Sequence, residues 1–170
     1  MYDSFDLVRI DPITAAMDPR LQYDQILSVQ LYSMAAGGWI DAPNDPCPAA
    51  CDKTFPGYDL SADSQADTIA FRLTYAESPN RVVDNAQAPP IGSGVAVSSG
   101  NNRTLHPVFR IRDELRSNSD DPVLAEDTYN VDDAGVVRNT AQARLVVGDN
   151  DDFYHENASD DVVITPVNVT

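Results

Sequence analysis

The sequence predicts a mainly β fold: a sandwich or barrel of about six to eight short antiparallel strands, with one N-terminal α-helix and long loops. Apolar and polar residues alternate in several short segments that are separated by Gly, Pro, Asn and Asp. Of the 27 acidic residues 23 are Asp, which favours caps and turns over helix interiors. A length of 170 residues suits a single domain over 1–170.

The N-terminal part predicts a short strand followed by a helix. Residues 5–10 are typical of a strand, or of an extended arm that would include 1–18. The Asp-Pro pair at 18–19 resembles an N-cap followed by proline at the first helical position. Apolar residues then recur at helical spacing until two glycines, so we expect a helix over 19–36. The alternation of apolar residues over 27–31 favours a strand as the alternative.

The segment 38–67 predicts a long loop rich in cysteine and proline. Its tryptophan, Trp39, is either a core residue or the anchor of a partner subunit, because Trp is favoured at binding hot spots. Cys47 and Cys51 predict a disulfide that closes a small loop. The alternatives are two free thiols, or a metal site, although two ligands without a nearby histidine are few for zinc.

The rest of the chain predicts short strands and loops. Alternation and β-branched residues mark the predicted strands, which are 68–75, 95–97, 108–112, 136–138, 143–147 and 162–169. We expect 136–138 and 143–147 to form a hairpin across 139–141, and proline makes the last strand an edge or a bulge. Segments 77–106 and 113–133 are polar and predict loops.

The net charge and the motif content exclude several functions. A net charge of −16, with 11 basic residues, argues against general nucleic-acid binding and against docking on anionic lipid. The chain has two histidines, His106 and His155, and no motif that supplies a nucleophile. We therefore expect no enzyme activity, and a hydrolase that uses His155 is a remote alternative.

One acidic segment is a candidate calcium site. Asp149, Asp151, Asp152 and Glu156 offer carboxylate oxygens, the ligands that Ca²⁺ prefers, although the spacing of an EF-hand is absent. The alternative is a solvated acidic turn. No other cofactor is expected.

Four arginines within fourteen positions are a candidate subunit interface: Arg103, Arg110, Arg112 and Arg116. Arg binds carboxylates with two parallel hydrogen bonds, so this group could bind an acidic surface of a neighbouring subunit. The alternative is internal ion pairing with the Asp residues of the same chain.

These observations predict a non-enzymatic structural subunit of a virus particle. The N-terminus lacks the pattern of an export signal, whereas a disulfide favours a protein that is made in a host cytoplasm and ends outside the cell. We expect capsid decoration or cement, or else a tail or neck component, in a tailed virus of a halophilic or marine prokaryote. Its partners would be other structural subunits, including copies of itself, with no nucleic acid and no membrane. The alternative is an extracellular β-domain that binds glycan or calcium.

The excess of Asp predicts adaptation to high salt, and the alternative is an ordinary acidic surface. At molar ionic strength the Debye length is about 3 Å, so the excess negative charges stop repelling one another over distance. We expect the melting temperature, followed by circular dichroism, to rise between about 0.1 M and about 2 M salt. A melting temperature that stays constant or falls would show that the chain is not adapted to salt.

Overall fold

The computed structural model describes residues 2–86, 88–96, 103–123, 136–147 and 152–163, and for 136–139, 143–147 and 152–163 it describes the backbone alone. The strands in this part of the chain are β1 (Phe5–Ile10), β2 (Asp24–Ser33), β3 (Gly38–Asp41), β4 (Cys51–Asp52), β5 (Tyr58–Asp59), β6 (Thr68–Glu77), β7 (Pro107–Ile111), β8 (Val136–Val147) and β9 (Asp152–Val163). The helices are a 3₁₀ helix (Pro19–Tyr23) and α1 (Ala62–Asp67). None of the helices in the described ranges is long and apolar enough to cross a bilayer.

The chain divides into two compact units. The larger unit comprises Tyr2 and Asp6–Arg110, and the second contains Asp3–Phe5 and the chain from Ile111 onward. The sheet β5-β1-β7 has three strands, and a four-stranded sheet has β2 at its centre, with β3 and β4 along one edge and β6 along the other. The strands β8 and β9 form a separate antiparallel ribbon. The mainly β class that the sequence predicts is therefore confirmed.

One hydrophobic core lies between the two larger sheets. Leu7 and Ile10 of β1 are completely buried, as are Ile26 and Val29 of β2, and all four belong to one cluster. Phe55 joins this cluster from the segment between β4 and β5. Two sheets that share one core make a β-sandwich-like arrangement. Residues 5–10 are thus a strand of the core rather than part of an extended arm.

The predicted helix over 19–36 is wrong. Asp18 is the N-cap that the sequence predicts, since its side chain accepts a hydrogen bond from the backbone N–H of Arg20, but the 3₁₀ helix ends at Tyr23. Strand β2 follows, and its pairing with β6 contains a bulge between Ile26 and Ser28. The extra residue shifts the alternation of buried positions, which produces an apparently helical spacing in a strand.

Three further predictions need correction. The segment 38–67 contains β3, β4, β5 and α1 and is not one loop. Residues 95 and 96 are not in a strand, while residue 97 lies outside the described residues. The hairpin across 139–141 is wrong, because β8 runs unbroken from Val136 to Val147 and pairs with β9. Asn-Thr-Ala has no glycine to supply the positive φ of a tight hairpin turn.

The strands predicted at 68–75 and 108–112 correspond to β6 and β7. Of the strand predicted at 162–169, positions 162 and 163 are the end of β9, and 164–169 lie outside the described residues. Sequence patterning therefore located β6 and β7 correctly.

A buried arginine connects the segment after β6 to the start of β2. The side chain of Arg81 is 1% exposed, and its Nη2 donates to the carboxylate of Asp24, which is 0% exposed, at 2.8 Å. The same guanidinium also donates to the carbonyls of Tyr23, Pro90 and Gly94 and to the hydroxyl of Ser93. Because every donor that a guanidinium offers is used, the ion is desolvated at low cost.

Glu77 holds the same segment from its exposed side. Its carboxylate accepts hydrogen bonds from the backbone N–H groups of Gly92 at 2.7 Å and Gly94 at 2.9 Å. Both glycines have positive φ, 82° and 80°, a backbone conformation that side chains disfavour. The Gly92 N–H, followed by Gly94 and the Arg81 guanidinium, lowers the pKa of Glu77. The carboxylate of Glu77 therefore binds the backbone N–H groups of the turn at 90–94, as an anion does in a backbone nest.

The buried ion pair predicts a large loss of stability when one partner is removed. Arg81→Met leaves the buried carboxylate of Asp24 without one of its two cations, which costs about 3–5 kcal/mol in the free energy of unfolding. Urea denaturation measures this loss. Arg9→Met is the matched control, because Arg9 and Asp11 form an exposed pair at 2.6 Å whose loss costs about 1 kcal/mol or less. Equal losses in the two variants would contradict the assigned role of Arg81.

Candidate functional site

A disulfide joins Cys47 to Cys51, the first of the alternatives that the sequence leaves open. Asp45 holds the same turn, since its carboxylate accepts from the backbone N–H of Cys47 at 2.8 Å. Cys47 is 1% exposed and belongs to the core cluster, so the disulfide attaches the proline-rich turn to the core. Because both sulfurs are bonded, neither cysteine is a thiol nucleophile.

A cleft of about 440 Å³ lies next to this turn. It is lined by parts of the segments 43–46 and 57–61 and by Ser64. The hydroxyl of Tyr58 donates to the carbonyl of Pro43 at 2.9 Å, and burial, with a contribution from Asp45, raises the pKa of that phenol. The described side chains that line the cleft include the hydroxyls of Ser61 and Ser64 and the carboxylate of Asp59.

Arg103, which the sequence places in a subunit interface or in internal ion pairs, takes the internal role. Its guanidinium lies 3.3 Å from the carboxylate of Asp18 and also pairs with the carboxylate of Asp24. The same guanidinium lies over the ring of Tyr75, 4.8 Å from the ring centroid. The side chain of Arg103 is 22% exposed. Arg103 and the buried Arg81 both pair with the carboxylate of Asp24.

The other three arginines of that group are placed differently. Arg110 is 63% exposed, and its guanidinium lies 3.3 Å from the carboxylate of Asp6. Arg112 donates from Nε to the carbonyl of Glu114 at 3.0 Å. Arg112 and Arg116 are half-buried and belong to the second compact unit. Of the four, Arg110 has the most exposed guanidinium that the structure describes, and their role as an interface stays a prediction.

The candidate calcium ligands fall largely outside the described residues. Asp149 and Asp151 are not described, and Asp152 and Glu156 are described only as backbone positions of β9. His155 is likewise described only as a backbone position of β9. Among the side chains that are described, no three His, Cys, Asp or Glu residues are grouped so that they could hold a metal ion. The calcium site and the role of His155 both stay predictions.

The outer face of the four-stranded sheet carries an exposed aromatic and polar cluster, which we call the Trp39 platform. It consists of Gln30, Tyr32, Trp39, Asp41 and Arg72. The pairing register explains why they meet: Tyr32 is opposite Trp39, and Gln30 is opposite both Asp41 and Arg72. Residues opposite each other on neighbouring strands point to the same face of a sheet. Three strands therefore contribute to one surface.

Direct contacts hold the Trp39 platform together. The Nε of Arg72 donates to Gln30 Oε1 at 2.7 Å, and Gln30 Nε2 donates to Asp41 Oδ1 at 2.8 Å. The guanidinium of Arg72 lies 4.4 Å from the centroid of the Trp39 ring. Tyr32 meets Trp39 edge to face, with the centroids 5.5 Å apart. These contacts order the side chains, although Trp39 is still 39% exposed.

The residue types of this platform are those that occur often in binding interfaces. Trp, Tyr and Arg are the residues most enriched at interface hot spots. Side chains that are already ordered lose less conformational entropy on binding, so more of the contact energy appears as affinity. The stacked Arg and the edge-on Tyr surround the indole with groups that can exclude water at the rim of a contact.

Sequence reasoning selected Trp39 but missed the other four members of the platform. Gln30, Asp41 and Arg72 have hydrogen-bond partners 11 to 42 residues away in the chain, so the pattern appears only once the strands are paired. The alternation in 68–75 did place Arg72 on the face opposite Phe71 and Leu73. Gln30 and Tyr32 were missed because the sequence analysis assigned β2 to a helix, in which the two residues do not share a sheet face.

No protein-family model, curated protein or solved structure matches this chain. The site is therefore interpreted from its geometry alone.

The phenol of Tyr75 interacts with the buried ion network of Asp18, Asp24 and Arg103. Burial is the main cause that raises the pKa of Tyr75 to about 12; Arg103 acts to lower this pKa, and the carboxylates of Asp18 and Asp24 act to raise it. In the folded chain the neutral form of the Tyr75 phenol is favoured, because the pKa of this phenol lies above the ordinary value of 10.0. The stability gained from this phenol is fully present below pH 10 and is lost as the pH rises toward 12.

Tyr75→Phe predicts a change in the alkaline stability profile. The free energy of unfolding of the wild-type chain should fall more steeply between pH 10 and pH 12 than that of Tyr75→Phe, since the variant has no phenol to ionise there. Urea denaturation across this range measures both slopes, and the raised pKa of Tyr58 affects both chains equally. Parallel profiles would show that the phenol of Tyr75 is not held neutral by its surroundings.

Proposed function

We propose that the protein is a non-enzymatic structural subunit of a virus particle and that it contacts a neighbouring subunit through the Trp39 platform. The observation that carries the proposal is the pre-ordered, exposed cluster of Trp39, Arg72 and Tyr32 across three strands. Such a surface favours a protein partner, because a sheet face with an aromatic centre and a polar rim matches the anatomy of an interface.

Composition supports the virus particle as the setting. A disulfide that fastens a loop to the core favours a protein that functions in an oxidising environment. The acidic surface, with a net charge of −16, fits particles of a halophilic or marine tailed virus, where salt screens repulsion between neighbouring subunits. Capsid decoration or cement is the first candidate role within the particle, and a tail or neck component is the second.

An extracellular β-domain that binds glycan is the second candidate function. The exposed indole of Trp39 is the observation in its favour, because aromatic rings offer an apolar surface with a polar edge. The guanidinium of Arg72 over the ring argues for the subunit contact instead, since it occupies one face of the indole. A calcium-binding module or a hydrolase would depend on Asp149, Asp151 or His155.

Trp39→Ala tests the proposed contact. The variant should fold as the wild-type chain does, because Trp39 is partly exposed, but its affinity for neighbouring subunits should fall by at least about 30-fold, the effect of losing a hot-spot residue worth about 2 kcal/mol. Sedimentation velocity over a range of concentrations measures self-association, and negative-stain microscopy detects larger assemblies.

Leu27→Ala is the matched control, because Leu27 is similarly exposed, at 43%, but lies at the bulge outside the platform. The control should associate as the wild-type chain does. Equal association of the wild-type and Trp39→Ala chains would contradict the proposal, and specific glycan binding that Trp39→Ala abolishes would favour the second candidate.

A further inference from the structure

Among the described residues, the strands of the β8–β9 ribbon are the longest, and they pair with each other. Twelve consecutive residue pairs join the two strands, from Val136 opposite Val163 to Val147 opposite Asp152. At about 3.4 Å per residue, each strand extends for about 40 Å. Within the described parts of the chain, neither β8 nor β9 pairs with a third strand. Because an isolated two-stranded ribbon is at best marginally stable in water, both outer edges favour the addition of another strand.

Charge is divided unequally between the two strands. Strand β8 contains two arginines, Arg138 and Arg144, and no acidic residue. Strand β9 contains no lysine or arginine and four acidic residues, which are Asp152, Glu156, Asp160 and Asp161. In a chain with 11 basic residues and a net charge of −16, a twelve-residue basic strand beside an acidic one gives the ribbon two edges of opposite sign.

This division determines how two copies of the ribbon can join. Pairing β8 with β8 of another copy would bring four arginines together, and pairing β9 with β9 would bring eight acidic residues together. Like charges opposite each other across strands are destabilising, whereas opposite charges are favourable. The β9 edge of one copy and the β8 edge of the next therefore form the complementary pair. Because β8 and β9 are antiparallel, copies in the same orientation keep every added pair antiparallel as well.

We propose that β9 of one copy of this chain pairs with β8 of the next, so that the ribbons of successive copies form one continuous antiparallel sheet. Such a contact joins two different surfaces of the same protein and therefore generates a closed ring, or a helical filament when the rotation does not close. The second copy is the occupant that the two edges specify, since they match in length and differ in charge sign. This contact is separate from the Trp39 platform and goes beyond the proposed function.

Two charge-reversed variants of the full chain test this contact. In the first, Arg138→Glu and Arg144→Glu make both edges acidic. In the second, the four acidic residues of β9 are each replaced by Lys, which makes both edges basic. Each variant alone should form smaller assemblies than the wild-type chain in sedimentation velocity, at the lowest salt at which the wild-type chain is fully folded.

An equimolar mixture of the two variants should recover the wild-type mass, because every β8–β9 contact between unlike copies is then complementary. Reversal within a hairpin cannot be repaired by mixing, so recovery identifies a contact between chains. The matched control is Arg9→Glu with Lys53→Asp, which changes the net charge as the first variant does but lies outside the ribbon, and it should assemble normally. A wild-type chain that stays monomeric, or folded variants whose mixture does not assemble, would overturn the proposal.

A second measurement applies if either charge variant fails to fold. Ala141→Cys in β8 and Ala158→Cys in β9 are small substitutions at the middle of the ribbon, made in separate chains. When the two chains are co-assembled and treated with a short bis-maleimide, heterodimers should dominate over homodimers. Homodimers of either chain in excess would show that like edges pair, and the absence of crosslinks would show that the edges do not meet. Trp39→Ala leaves the ribbon unchanged, so the failure of this contact and the failure of the platform are distinguishable.

Discussion

The larger unit depends on one buried carboxylate. Asp24 begins β2 and is completely buried, and its oxygens accept hydrogen bonds from the guanidinium groups of Arg81 and Arg103 and from the backbone N–H of Ala96. Through these partners a single side chain joins the central strand to the segment after β6 and to the approach to β7. A buried anion without such partners would be strongly destabilising, so each of these partners contributes to the stability of the fold. A chain with only 11 basic residues places two of them here.

Local patterning could predict much of the fold, whereas the ion network and the platform require contacts between distant residues. Alternation located β6 and β7, Asp18 was recognised as an N-cap, and the cysteine spacing included the disulfide among its alternatives. The bulge in β2 imitated helical spacing, and no local signal marks such an insertion. Asp24 and Arg81 are 57 residues apart, and the chain offers 23 aspartates as possible partners, so their pairing could not be selected from sequence.

The arginines of this protein fall into two groups, one that pairs with buried acids and one on exposed elements. Arg81 and Arg103 neutralise buried acids, whereas Arg72 lies on an exposed indole and the two arginines of β8 belong to a ribbon edge. A fixed core and a separate set of outward contacts are what a structural subunit needs, because its own folding must not depend on its neighbours.

Hydrogen–deuterium exchange of the wild-type chain, measured below and above the concentration at which it assembles, tests the central claim that this protein works by contacting its own copies. Amides have to pair when edges join, so exchange in β8 and β9 should slow on assembly, as should exchange in β3, which carries Trp39. Exchange in β1, already paired on both sides, should not change. Exchange that is independent of concentration throughout the chain would contradict the account.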